Sequence, residues 1–288
     1  MLIMEESFLV VLDSRNATQY LNGSYNSDVI FNIQEPITCD TDIIQMTLGV
    51  VSFICPCSFY QINYTNDILN IVLNGIAYTI IIPDGNYQPT NFISTLIGLL
   101  PSGFSVTLNQ INNKFTITHS TYSFSIIGTT STIYEVMGFS NASLVSSTGL
   151  TMTLPYSCNF SGLNNINVHI ANITNNNIDS WNELDGNLAT SIPVNSPPNG
   201  VIIYESKTDF KYTIRDSIIN HLHIDIKDDL ENSIDFSNQH WNLTLCFRKK
   251  YEKQMTQTTF LDIMRPPLVK WTNPNDLEEE DEEIEDDE

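Results

Sequence analysis

Apolar residues recur along this chain mostly at alternate positions or in short unbroken runs, the period of β-strands rather than helices. Such segments fall at 8–12, 28–33, 43–54, 68–73, 76–82, 104–108, 114–118 and 122–127. A second series follows at 166–173, 201–204, 210–214, 218–226 and 241–247, separated by Asn-, Pro- and Gly-rich connections such as 195–200. Short strands at this spacing predict antiparallel sheets in a sandwich or barrel, not βαβ winding.

One stretch departs from this pattern. Asn74-Gly75 stands between ILNIVL and IAYTIII, and both residues tolerate the positive φ of a type I′ turn, so the two runs should pair as a tight hairpin. Pro83 and Asp84-Gly85-Asn86 then supply turn chemistry. Pro89 is pre-shaped for the first position of a helix that carries Phe92, Ile93, Leu96, Ile97 and Leu100 and stops at Pro101. The only other helical signal is a turn or two at 132–139, closed by Gly138. The strands before and after this region are each too few to close a core alone. The expectation is therefore one discontinuous β-sandwich, residues 1–65 with 141–250, interrupted by an inserted α+β domain at 66–140.

Residues 251–275 read as a Thr- and Pro-rich arm with isolated anchors Phe260, Leu261, Met264 and Trp271. After it, 11 of the last 13 positions, Asp276 to Glu288, are acidic. Without them, 23 acidic residues face 12 basic ones and the net charge moves from −22 to −11. So dense a carboxylate run repels itself and buries almost nothing, so it reads as a disordered tail, solubilising or partner-seeking.

At 288 residues, with 41% hydrophobic and 16% charged residues, the chain can bury a substantial core in which charge plays little part. Clustered cations for nucleic acid are lacking, and Arg248-Lys249-Lys250 with Lys253 reads as a solvated strand exit. The five cysteines are odd in number and lack C-x-x-C spacing, so reduced thiols and an intracellular setting are the default, with neither a disulfide framework nor a zinc site. No leader is expected, because residues 1–6 lack a basic region and 8–12 is too short for an apolar core or a membrane span. Seven N-x-S/T sequons occur, and random placement predicts about six, so they carry no compartment signal.

The only suggestive constellation is His221-x-His223-x-Asp225, which shares one face of a strand while Leu222, Ile224 and Ile226 take the other. Successive members are about 6.6 Å apart, poorly spaced to chelate one ion, and a half-buried strand needs a polar face in any case, so no metal site is expected. His119, His169 and His240 are isolated. Cys55-Pro-Cys57 is one residue short of a redox motif and marks a strand end. Glu183 and Asp185 are loop acids with nothing to separate their pKa values. There is no G-x-S-x-G elbow, Walker loop, dinucleotide fingerprint or H-E-x-x-H, so neither a cofactor nor an enzyme is expected, although distant carboxylates can still assemble a hydrolase.

Four segments carry a resemblance: SFLVVLDSRNATQYLNGSYNSDVIFNI, VVSFICPCSFYQIN, LNGIAYTIIIPDGNYQPTNFISTLIGLL and IINHLHIDIKDDLENSIDFSNQHWNLTLCF. Together, over residues 7–248, they resemble single jelly-roll penton or minor capsid proteins of virophages, Polinton-like viruses and giant DNA viruses. The resemblance implies an eight-stranded antiparallel jelly roll with an inserted domain, made in the host cytoplasm or virus factory and built into the virion. There it would form a homopentamer at the five-fold vertex, among double jelly-roll major capsid trimers and other minor capsid proteins. A minor capsid protein at another shell position is an alternative. A carbohydrate- or receptor-binding sandwich using Trp181, Trp241 and Trp271 is another, although Trp241 falls in an expected core strand.

Overall fold

The computed structural model describes residues 2–39, 43–174, 187–208, 211–214 and 217–253. The first third holds β1 (Leu2–Asp13), β2 (Gln19–Tyr20), β3 (Asp28–Thr38) and β4 (Ile43–Pro56). The middle holds β5 (Ile68–Leu73), β6 (Ile76–Ile81), α1 (Pro89–Leu99), β7 (Phe104–Asn109), β8 (Lys114–His119), β9 (Phe124–Ile127), the single turn α2 (Tyr134–Met137), β10 (Leu144–Ser146) and β11 (Thr151–Thr153). The last part holds β12 (Asn165–Ile170), β13 (Ile173–Thr174), β14 (Leu188–Pro193), β15 (Val201–Glu205), β16 (Tyr212–Ile214), β17 (Ile218–Lys227) and β18 (Asn242–Lys253).

Eleven of these strands form two antiparallel sheets. In the first, β1, β18, β4 and β15 lie side by side, with β16 also on β4 and β13 beyond it. In the second the order is β14-β12-β17-β3, with β2 on the edge. The pairing is nested: β1 with β18, β3 with β17, β4 with β15 and β12 with β14, first strand with last and so inward. A long hairpin folded over on itself in this way is a jelly roll. Its sheets are held together by one apolar layer drawn from both ends of the chain, from Leu12 to Cys57 and from Ile166 to Phe247. Trp241, fully buried, meets the Phe31 ring edge-on at 6.0 Å and the tilted Phe53 ring at 5.9 Å, and its indole N–H donates to the Asn26 carbonyl at 2.7 Å. The alternation read from the sequence supplies this layer: Val29 and Phe31, Leu48 and Val50, Leu222 and Ile224, and Leu243 to Phe247 at every second residue point inward, while a bulge at Val51 brings Phe53 and Cys55 to the same face.

A second lobe hangs between the third and fourth jelly-roll strands and has its own core. Its sheets run β10-β9-β5-β6 and β11-β8-β7. Leu73 pairs with Ile76 across Asn74 (φ 51°) and Gly75 (φ 78°), the tight hairpin expected of Asn-Gly. Pro89 opens α1, which buries Phe92 and Leu96. The Phe92 ring meets Phe115 at 5.6 Å and Phe160 at 5.1 Å.

Several expectations are corrected. The second core extends from Ile62 to Leu154 with Cys158 and Phe160 packed on it, so residues 141–160 belong to it rather than to the sandwich. The short strands β10 and β11 pair with β9 and β8, and three residues are too few to show a period. Leu188–Pro193 is a jelly-roll strand that the polar run Thr190-Ser191 concealed. Arg248, Lys249 and Lys250 do not leave the ladder. They stand in β18 opposite Ser7, Glu6 and Glu5, with Arg248 Nε 3.6 Å from Glu5 and Lys249 Nζ 5.8 Å from the Phe8 ring centre. The ladder runs on to Lys253, so residues 251–253 are strand, not arm. The rest of the arm and the acidic tail lie outside the described residues.

Candidate functional site

The strand β17 places its chemistry as the alternation predicts. Leu222, Ile224 and Ile226 are fully buried, and His221, His223 and Asp225 take the outer face. There the three separate. His221 is exposed opposite Asn32. His223 Nε2 lies 2.7 Å from Asp28 Oδ1 on the neighbouring strand. Asp225 Oδ2 lies 3.4 Å from Lys227 Nζ, which also reaches Glu231 Oε2 at 3.3 Å, while His169 Nε2 lies 3.7 Å from Glu231 Oε1. Burial, only partly offset by Lys227, and the nearby Asp28 push the Asp225 carboxyl above its usual range, and its Oδ1 is buried without a hydrogen bond. Burial opposes the charge on Lys227, yet Asp225 and Glu231 hold its pKa above the ordinary value. Among the described residues, no three His, Cys, Asp or Glu side chains are grouped to hold a metal ion. Along this face Lys227 is ion-paired with Asp225 and Glu231, His223 is hydrogen-bonded to Asp28, and His221 stands apart.

The other reactive types are likewise engaged structurally. His119 is buried, and its Nδ1 accepts from the backbone N–H groups of Thr121 at 3.1 Å and Tyr122 at 2.9 Å. His240 Nδ1 sits 3.3 Å from Ser14 Oγ. Cys55 and Cys57 are buried at the end of β4, and burial, with Cys57 beside it, pushes the Cys55 thiol up to about 12, far from a reactive thiolate. Glu183, Asp185, Trp181 and Trp271 lie outside the described residues, and burial denies Trp241 a role as an exposed ring.

Two surfaces stand out, neither of them legible in the sequence. A cleft of about 690 Å³ lies where the lobes meet, lined by Tyr25, Tyr60, Tyr64 and Tyr134 and by Asp84, Glu135 and Asp235 among others, and by no Lys, Arg or His. Burial, then Asp67 and Asp235, raise the Asp84 carboxyl, and burial with Tyr25 raises the Tyr64 hydroxyl. The second surface is the outer face of the first sheet. Leu9 and Val11 on β1, Ile54 on β4, and Val201 and Ile203 on β15 point away from the core and are between 40% and 68% exposed. Ile54 pairs directly with Ile203, and between them and β1 the outward positions are the polar Asn242, Thr244 and Ser52 and the small residues Cys246 and Gly49. Five exposed aliphatic side chains on three strands of one sheet face, a pair on β1 and a group of three on β4 and β15, mark it as an interaction surface.

This architecture defines a single jelly roll with a second lobe inserted after its third strand. It is similar to the mavirus penton protein, known from a crystal structure, with a TM-score of 0.44 and 13% identity over 85% of this chain and 100% of that one. It is also similar to a chain in the 3.5 Å cryo-EM structure of the Sputnik virophage, with a TM-score of 0.36 and 11% identity over 85% of this chain and 97% of that one. No protein-family model and no curated protein matches the sequence. At such identities the functional reading rests on the chain's own surfaces.

Proposed function

We propose that this protein is a structural component of a virion shell, a penton that forms homopentamers at the five-fold vertices beside major and minor capsid proteins. It acts through shape and contact rather than turnover. The observation that carries this reading is the aliphatic outer face of β1, β4 and β15 on an otherwise complete sandwich. Five such side chains left in water cost on the order of 25 cal/mol for each Å² exposed, a penalty that association removes. The β17 strand supports the same reading, because His223 and Asp225 are engaged by the structural partners Asp28 and Lys227 rather than grouped at one point. In this picture the second lobe is a self-contained unit carried by the jelly roll. A carbohydrate- or receptor-binding role, the rival reading, would use the tyrosine-lined cleft, since Trp241 is inaccessible.

Light scattering on the full chain tests the proposal. A five-copy mass that falls to one copy in a Leu9→Lys, Ile203→Lys double variant is expected. A monomer at every salt and protein concentration would overturn it.

A further inference from the structure

The cleft where the lobes meet is built from stretches far apart in sequence. Tyr25 comes from the first third of the jelly roll, residues 59–66 and 129–136 from the second lobe and its entrance, and residues 228–235 from the connection between β17 and β18. Its volume of about 690 Å³ lies within the roughly 300–1,000 Å³ of ordinary binding sites, and a junction of lobes is where such sites occur. Part of its acidity is spent on the fold. Asp228 accepts from the backbone N–H groups of Leu230 and Asn232, Asp229 from those of Asn164 and Asn165, and Asp235 from that of Ser237. Asp84 and Glu135 differ: both are exposed, and neither has an ion pair or hydrogen bond among the described residues. With no Lys, Arg or His in the lining, their charge is unanswered.

Carboxylates by themselves would mark only a solvated rim, but two further kinds of group face the same space. Tyr25 and Tyr64 bring their rings to 5.8 Å, tilted by 37°, and Tyr60 and Tyr64 are exposed. The side-chain amides of Asn141 and Asn164 also line the cleft, and they make no hydrogen bond among the described residues. An aromatic face attracts a cation, a carboxylate takes a guanidinium through two parallel bonds, and a free amide both donates to and accepts from a peptide backbone. We infer that the cleft receives an extended, arginine-bearing segment of a partner protein. It shares no residue with the aliphatic face of β1, β4 and β15, so the inference stands apart from the shell reading. A neutral glycan would leave Asp84 and Glu135 unpaired, and a polyamine has no carbonyl to offer the amides.

Hydrogen exchange on the full-length chain, titrated at low salt with the acetylated and amidated peptide Arg-Gly-Arg-Gly-Arg, tests this. Exchange should slow at residues 60–66, 132–136 and 228–235 together, with one common midpoint. Asp84→Asn combined with Glu135→Gln should move that midpoint to about tenfold higher peptide concentration, the loss of two charge contacts. Tyr64→Leu should raise it about threefold, whereas Tyr64→Phe keeps the ring and the midpoint. Both acidic positions are exposed, so an unchanged thermal melt identifies the loss as one of binding. Protection confined to residues outside the cleft, a midpoint indifferent to Asp84 and Glu135, or no protection up to about 1 mM peptide would overturn the inference. Protection of the same segments by the neutral sugar maltotetraose, where the peptide gives none, would overturn it in favour of a glycan.

Discussion

Asp225 shows what one residue inherits from its neighbours. Alternation alone places it on the polar side of β17, but its pKa is raised first by burial and then by the charge of Asp28, which is far away in sequence and reaches it only through strand pairing. Because the folded pKa lies above the unfolded value of 3.8, protonation favours the fold. That contribution is complete below pH 3.8 and is lost as the pH rises through the raised folded value. At pH 7 the ionised carboxylate is therefore a burden, and Asp225→Asn should raise stability there, with the advantage shrinking as the solution is acidified below pH 4. Urea unfolding at a series of pH values reads this directly, and identical profiles for the two proteins would contradict it.

At the scale of elements, turns were legible and short strands were not. Asn74-Gly75 announces its hairpin because its requirement is local, a positive φ at two successive residues. Gly138 was recognised as the close of α2, but the sequence did not show that the chain at Tyr156 and Ser157 passes directly over it. A Cβ there would lie 2.5 Å from the Tyr156 carbonyl oxygen and 2.7 Å from that of Ser157, whereas a Cβ at Gly75 meets nothing within 4 Å. Gly75→Ala should therefore cost about 1 kcal/mol, the backbone strain alone. Gly138→Ala should cost roughly 2–4 kcal/mol, because backbone atoms must also move. Chemical denaturation of the pair, with the order reversed or the costs equal, would show that the close approach is not what requires glycine.

For the whole molecule, the question is whether two cores make two folding units. The lobe's entrance and exit lie side by side: Gln61 Nε2 donates to the Phe160 carbonyl at 2.6 Å, and Gly162 packs against the Gln61 side chain. Its core is closed by residues from Ile62 to Leu154 without help from the sandwich. A fragment spanning residues 60–162 should accordingly fold alone with a single cooperative thermal transition, and a short Gly-Ser bridge in its place should leave the jelly roll folded. Circular dichroism showing an unfolded fragment would mean that the two cores depend on each other.

By itself the sequence settled what depends on near neighbours: which runs become strands, where the Asn-Gly turn falls, where the helix starts at Pro89, and which face of β17 is polar. These follow from side-chain alternation and backbone preference, which act within a few residues. Tertiary structure alone decided that β1 pairs with β18 across more than two hundred residues, that residues 141–160 join the second core, and that Asp28 is the partner of His223. It also decided the fate of the unbroken apolar run Phe8–Leu12. A run of that kind reads as buried on both sides, yet only one layer packs on β1, so Leu12 is buried while Leu9 and Val11 face outward at 60% and 68% exposure. Burial belongs to the layer that covers a residue, and no residue carries that information within itself.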